Sequence, residues 1–284
     1  VGEEGEEGDR KAGRPARVSG FGGKTIVVTG ASSGIGRALS LELARGRANL
    51  VLAARDGPRL EEVAARCREQ GALALVVKAD VGSPGDCRHL IDKAVERFGG
   101  LDVLVNNAGI GMIARFDELP ELSVYERLIK VNYLGCVYLT HAALPHLKKT
   151  SGLIVAVASL AGLTGVPTRT GYAASKHAVI GFFDSLRIEL LGSGVDVCVV
   201  CPDFVVSEIH RRAIGPDGRA LGKSPMQEAR IMSTEECARK IAAAIAERRR
   251  MLVMSLRGRV GRFVRLIAPS LIDKVAQRAV REGR

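Results

Sequence analysis

A phenol and an ammonium four residues apart form the first pair in this chain that could do chemistry: Tyr172 and Lys176, in the run Tyr172-Ala173-Ala174-Ser175-Lys176. The surrounding pattern is helical, so a spacing of four sets both side chains on one face, where the ammonium favours ionisation of the phenol. A free tyrosine titrates near pH 10, too high for efficient proton transfer at neutrality, and a fixed positive charge brings it towards the working range. Ser159 follows an apolar run that reads as a strand. Its hydroxyl is expected at the carboxyl edge of the sheet, where it can hold a substrate oxygen.

A second loaded segment lies upstream, Thr29-Gly30-Ala31-Ser32-Ser33-Gly34-Ile35-Gly36. It stands between a strand and a helix. Glycine lets the backbone turn tightly and approach a pyrophosphate, and the helix start offers unpaired N–H groups and partial positive charge. Glycines at i, i+4 and i+6 match neither the dinucleotide fingerprint with glycines at i, i+2 and i+5 nor a P-loop. A plain glycine-rich turn is the alternative reading, weakened by the strand–turn–helix context. The second strand ends Leu52-Ala53-Ala54-Arg55, with no carboxylate for the adenosine ribose of NAD and with a guanidinium able to fork onto a phosphate. NADP(H) is therefore the expected cofactor in preference to NAD, with Arg37 as a second candidate cation.

The elements that must position these residues alternate along the chain. Strands are expected at Thr25–Thr29, Asn49–Ala54, Ala72–Lys78, Leu101–Val105, Gly152–Ala158, Val195–Val200 and Met251–Met254. Helices are expected at Gly34–Arg45, Pro58–Gln70, Pro84–Phe98, Leu122–Lys149, Gly171–Leu191 and Thr234–Arg248. This order predicts an α/β fold, one doubly wound parallel sheet of about seven strands with helices on both faces. Residues 1–19 read as a flexible charged tail, 20–255 as the catalytic domain and 256–284 as a basic amphipathic extension.

The chain resembles the classical short-chain dehydrogenase/reductase family, with a Rossmann-type domain, over about Gly20 to Ser255. Thr29–Gly36 matches the family's TGxxxGxG, Asn106-Asn107-Ala108-Gly109 its NNAG, and Tyr172–Lys176 its YxxxK. Thirteen positions separate Ser159 from Tyr172, and twenty-seven separate Asn132 from Ser159, which also fits. The resemblance implies an oxidoreductase interconverting a carbonyl and an alcohol by hydride transfer. It makes Tyr172 the proton donor or acceptor and Ser159 the group that positions the carbonyl. Asn132 then supports a water-linked proton relay, while Lys176 binds the nicotinamide ribose and tunes Tyr172. It also implies cofactor contacts from Gly30, Ser32, Ser33, Gly34, Ile35 and Gly36. Asp80 and Val81 would lie at the adenine, Asn106, Ala108 and Gly109 along the cleft, and Pro202, Val205 and Ser207 on the nicotinamide side. Where the family has Pro-Gly, this chain has Pro202-Asp203. Asp visits left-handed backbone more readily than most residues, and here it would bring a charge to the cleft.

Other features bound the function. The net charge is +11. Eleven basic residues against two acidic ones fall between Arg248 and Arg284, so the remainder is nearly neutral and no nucleic-acid partner is expected. The extension mixes arginine with apolar residues and can lie on an anionic membrane surface; packing on the domain with its arginines in solvent is the other reading. No run suits a membrane-spanning helix, and six scattered cysteines suit a reducing compartment, so a cytoplasmic protein is expected, with peripheral membrane contact through the extension. Cys198 and Cys201 fall on opposite faces of one strand and read as core. The five histidines show no metal-ligand spacing, and no metal is expected. Phe204, Val205, Val206, Ile209 and Ile214, in a lid after the sixth strand, suggest an apolar, steroid- or lipid-like substrate. A homodimer or homotetramer is expected through the helices Leu122–Lys149 and Gly171–Leu191. The competing function class is a non-catalytic cofactor-binding adaptor or membrane-surface protein, against which the joint presence of Ser159, Tyr172 and Lys176 speaks.

Overall fold

The computed structural model describes residues 20–282; the charged tail expected over 1–19 and the last two residues lie outside the described residues. Seven parallel strands form one sheet in the order β3-β2-β1-β4-β5-β6-β7. They are β1 Thr25–Thr29, β2 Asn49–Ala54, β3 Leu73–Lys78, β4 Val103–Asn106, β5 Leu153–Val157, β6 Asp196–Cys201 and β7 Met251–Val253. The chain runs outward one way from β1 and the other way from β4. Clefts that bind ligands open at this reversal, beyond the carboxyl ends of the strands.

Alternation along each strand divides the core into two layers. Ile26 and Val28 of β1 pack into the layer beneath α1 (Gly34–Arg45), α2 (Gly57–Glu69) and α8 (Thr234–Ala246), whereas Val27 faces the layer beneath α3 (Pro84–Phe98), α5 (Gly135–Thr150) and α6 (Thr170–Glu189). Cys198 and Cys201 divide the same way and are fully buried. They are core side chains, as their spacing required. Burial pushes both thiols up, to about 11 for Cys198 and about 12 for Cys201, away from the thiolate that redox chemistry needs.

The helix expected over Leu122–Lys149 departs from a regular α-helix. Residues Ser123–Leu128 (α4) and α5 are joined without a break by a π-helical stretch, Ile129–Leu134, which contains Asn132. A π-bulge admits extra backbone without ending a helix, so apolar periodicity does not reveal it. Beyond the sheet edge, α7 (Glu208–Arg211) lies within the lid. Ile214 exchanges main-chain hydrogen bonds of 2.9 Å with Gly111 and Ile113, which ties the lid to the loop after β4.

The extension is two helices, α9 (Leu256–Ile267) and α10 (Pro269–Arg281). Ser255 caps α9 by accepting from the Gly258 amide at 3.1 Å, and Pro269 occupies the first turn of α10, where its missing N–H costs nothing. Gly258 packs so tightly on Leu160 that an added Cβ would come within 2.5 Å of its side chain. The arginines of α9 do not simply project into solvent. Arg259 donates to the Val253 carbonyl, Arg265 to that of Leu163 and Arg257 to Asp203. Exposed beside these arginines are Leu256, Phe263, Leu266 and Ile267, and Leu271 of α10.

Candidate active site

A cavity of about 860 Å³ opens at the carboxyl edge of the sheet, running from the glycine-rich turn across Ser159, Tyr172 and Lys176 to the lid and the extension. Its floor begins at Gly30, which adopts φ +66°, a conformation open to glycine at little cost. Gly36 lies inside α1 with its α-carbon against Gly30, and a Cβ there would meet the Gly30 carbonyl oxygen at 2.3 Å. Gly36 therefore seats the helix on the turn rather than facing the cavity, while Gly30, Ser32, Ser33, Gly34 and Ile35 line it. Ser33 is the N-cap of α1, yet its hydroxyl makes no capping bond, which leaves that hydroxyl and the helix start available to an anion.

The turn is locked to the loop after β4. Thr29 Oγ1 donates to the Val105 carbonyl at 3.1 Å and accepts from the amides of Asn107 and Ala108 at 3.0 and 3.1 Å. The Asn107 side chain donates to the Thr29 carbonyl at 2.8 Å. Asn107 thus joins the two loops and lines the cavity beside Ala108 and Gly109, whereas the resemblance implied Asn106. Asn106 faces inward, donating to Thr140 Oγ1 at 3.2 Å. At the far end of the cleft, Arg55 is exposed at the cavity rim without an ion-pair partner among the described residues, while Asp80 and Val81 line the adjoining wall. Arg37 lies on the exposed side of α1, over a separate, smaller depression.

At the other end the proton-transfer candidates converge. Ser159 stands just past β5, its hydroxyl accepting from the Ala161 amide at 3.2 Å. On α6, Lys176 is buried; its ammonium donates to the Val157 carbonyl at 2.8 Å and lies 5.8 Å from the centre of the Tyr172 ring. Ser159, Tyr172 and Lys176 all face the cavity. Asn132 is fully buried and does not line it. Its side chain accepts from the Ile110 amide at 2.8 Å and donates to the Ile110 carbonyl at 3.0 Å and to Ser175 Oγ at 2.9 Å, so it fixes the wall beside Lys176.

Pro202, Val205 and Ser207 form the opposite wall, and Ser207 comes up against Gly34 of the glycine-rich turn. Asp203 does not use left-handed backbone, which the described structure confines to other positions. Its carboxylate accepts two hydrogen bonds from Arg257 of α9, at 2.6 and 2.7 Å, and a third from the Phe204 amide at 2.9 Å. The substitution of the usual glycine thus anchors the extension instead of leaving a bare charge in the cleft. Of the five lid residues expected to face a substrate, Phe204, Val205, Ile209 and Ile214 line the cavity, while Val206 faces the smaller depression.

Two polar groups in the cavity wall had no sequence signal beyond their type. Arg169, three residues before Tyr172, is buried with its guanidinium 5.2 Å from the centre of the Phe204 ring. His210, on α7, is buried with Nε2 unpartnered. Burial and the Arg169 charge push its ring down to about 4, so it is neutral at pH 7.

A family profile described as short chain dehydrogenase matches residues 24–215. A protein of Arabidopsis thaliana named 11-beta-hydroxysteroid dehydrogenase-like 4A is 41% identical over 251 residues, covering 88% of this chain and 82% of that relative. Among solved structures, a short chain dehydrogenase/reductase from Burkholderia phymatum in complex with NAD superposes with a TM-score of 0.78 at 28% identity, covering 88% of this chain and 95% of that one. An alcohol dehydrogenase from the archaeon Thermococcus sibiricus, complexed with 5-hydroxy-NADP, superposes with a TM-score of 0.67 at 31% identity, covering 78% and 89%.

Proposed function

The chain belongs to the short-chain dehydrogenase/reductase family, and from that premise we propose that it is an NADP(H)-dependent oxidoreductase interconverting a carbonyl and an alcohol on an apolar substrate. The observation that carries this reading is that Ser159, Tyr172 and Lys176 open into the same cavity as the glycine-rich turn and Arg55. The turn fits a dinucleotide: Gly30, Ser32, Ser33 and Gly34 line the cavity, and the α1 start has N–H groups and the Ser33 hydroxyl free for phosphate. When bound, the nicotinamide supplies the hydride in reduction and accepts it in oxidation.

In reduction the Tyr172 hydroxyl gives its proton to the substrate oxygen, and in oxidation it takes one back. Ser159 donates a hydrogen bond to that oxygen and holds it in place. The Lys176 ammonium, fixed by the Val157 carbonyl, stabilises negative charge developing on the Tyr172 oxygen. Asn132 is a positioning residue; with its amide committed to Ile110 and Ser175, it supports proton relay by shaping the wall beside Lys176. Residues 20–255 constitute the catalytic unit, with 256–282 as an extension that completes one wall.

An apolar substrate is supported by Ile110, Leu163, Val166, Phe204 and Ile214 in the lining. The named Arabidopsis relative fits a steroid- or lipid-like molecule. The apolar residues exposed on α9 and α10 beside the cavity mouth suit peripheral contact with a lipid surface, although among the described residues no helix is long and apolar enough to cross a membrane. Tyr133 and Phe182, half-buried on α5's π-helical approach and α6, belong to the apolar face proposed for homodimer or homotetramer assembly. The test is NADPH oxidation by purified protein across ketones and aldehydes, with Tyr172→Phe as the control. Absence of turnover on every carbonyl, or turnover unaffected in the control, overturns the reading and favours a cofactor-binding adaptor.

A further inference from the structure

Arg169 places a positive charge in the cavity wall with no carboxylate within ion-pairing distance among the described residues. Its side chain meets two groups, the Met226 thioether, 3.9 Å from Nη2, and the face of the Phe204 ring. Neither offers the oxygen acceptors that five N–H donors require. A guanidinium used only for structure would be expected on a carboxylate or on main-chain carbonyls, as Arg248 is: it pairs with Asp196 and donates to the carbonyls of Ser151, Gly152 and Gly194. Only 8% of Arg169 is exposed, where it lines the cavity, and burying an unpaired charge is costly. Desolvation accordingly pulls its pKa below the usual arginine range.

The surroundings point the same way. Tyr172 lies one helical turn further along α6, so whatever binds Arg169 sits a short distance from the reacting oxygen. The Phe204 ring beneath the guanidinium provides an apolar surface, and buried His210 stays neutral and adds no competing charge. No acidic side chain of the wall is directed at the guanidinium; Asp203 is held by Arg257, and Glu208 by Arg59 and Arg212.

We propose that Arg169 is the anchor for an anionic oxygen group of the substrate, so that the cavity takes an apolar molecule bearing both the reacting carbonyl or alcohol and a carboxylate. This rests on the reading of the site as a carbonyl/alcohol oxidoreductase and narrows its substrate class. The planar fork of the guanidinium meets both carboxylate oxygens, while the apolar lining of the cavity at Leu163, Val166 and Ile214 receives the adjoining hydrocarbon.

Two measurements on the purified full chain test it. Turnover is compared between oxo acids with two to eight methylenes separating the carbonyl from the carboxylate and their methyl esters. At the spacing that fits, the acid is expected to exceed its ester in kcat/KM by about tenfold to a hundredfold. Arg169→Met should erase that preference chiefly through KM, and Arg169→Lys should restore part of it. Separately, binding of octanoate and octanamide in the presence of NADP is measured by calorimetry and by the His210 ring resonances. Octanoate should bind more tightly and raise the titration point of His210 by neutralising the charge beside it; Arg169→Met should lose both effects. Equal handling of acids and esters at every spacing overturns the proposal, as does an Arg169→Met variant that weakens NADP as much as octanoate. Selective octanoate binding without turnover of any carbonyl supports the anchor and overturns the oxidoreductase reading instead. If the methionine variant does not fold, the wild-type comparison of acid with ester and the lysine variant still decide.

Discussion

The carboxylate of Asp203, at the carboxyl end of β6, is gripped by both ends of the Arg257 guanidinium fork from α9. Asp203 is the more buried partner, with 13% of its side chain exposed against 48% for Arg257. The Arg257 guanidinium also lies 5.7 Å from the centre of the Phe204 ring. The extension is thereby coupled to the loop that carries Val205 and Ser207.

Removing Arg257 leaves a largely buried carboxylate without its charged partner, so Arg257→Ala should destabilise the fold by about 1 to 2 kcal/mol once solvent screening of the half-exposed arginine is allowed for. That corresponds to a loss of roughly 2–8 °C in Tm for a domain of this size. Adding Asp203→Gly should recover part of the loss, because the orphaned charge goes with it. Thermal unfolding of the single and double variants measures this; a double variant no more stable than Arg257→Ala would show that the pair is not the coupling.

Tyr172→Phe removes the transferable proton and little volume. Turnover should fall by about 10²- to 10⁴-fold, with the dissociation constant for NADP within about twofold of the unaltered protein. Fluorescence titration alongside single-turnover kinetics separates the two quantities. Turnover near the original rate would require another proton donor.

Much of this site is legible in the sequence because its determinants are local. Gly30, Gly34 and Gly36 act within one turn, and Tyr172 and Lys176 share a helical face, so residue type and spacing suffice. Asp203 with Arg257 and Arg169 with His210 become neighbours only through tertiary folding. The first pair is 54 positions apart, and no periodicity links them. The π-helical stretch around Asn132 escaped for a different reason: its apolar pattern remains helical, and only the hydrogen-bond register changes. Arg37, one residue past the last glycine of the turn, can be read from type and spacing either as a cofactor cation or as a surface charge, and helical rotation carries it to the exposed side of α1, over the smaller depression.

His210 predicts a dependence of stability on pH. Burial and the Arg169 charge lower its pKa from 6.5 to about 4, with the Val205 main chain and Glu228 pulling weakly the other way. Between these values the unfolded chain binds the proton more readily than the folded one. The contribution is therefore complete above about pH 6.5 and is lost as pH falls towards 4, amounting to roughly 3 kcal/mol at most. Urea unfolding from pH 7 to 4.5 should show stability falling more steeply for the unaltered protein than for His210→Leu. Parallel curves would mean that the ring titrates freely in the folded state.

Arg55 carries the cofactor prediction. It stands exposed at the rim beyond β2, free of ion pairs among the described residues, next to Ala54 and not to a carboxylate at the strand tip. NADP offers it a phosphate and two charge-assisted hydrogen bonds, whereas NAD offers a neutral hydroxyl. Arg55→Ala should weaken NADP by about tenfold to a hundredfold and change NAD little, the range expected from hydrogen bonds of about 1.5 to 3 kcal/mol to a charged group. Adding Ala54→Asp should carry the preference further towards NAD, since a carboxylate there repels the phosphate and accepts from the ribose hydroxyl. Both cofactors are titrated against the unaltered protein and the two variants, at low and at high salt, because the contribution of an exposed guanidinium is screened. An unaltered protein that already prefers NAD, or an Arg55→Ala variant that loses both cofactors equally, would assign the phosphate discrimination elsewhere and make NAD-linked oxidation of an alcohol the better account of this site.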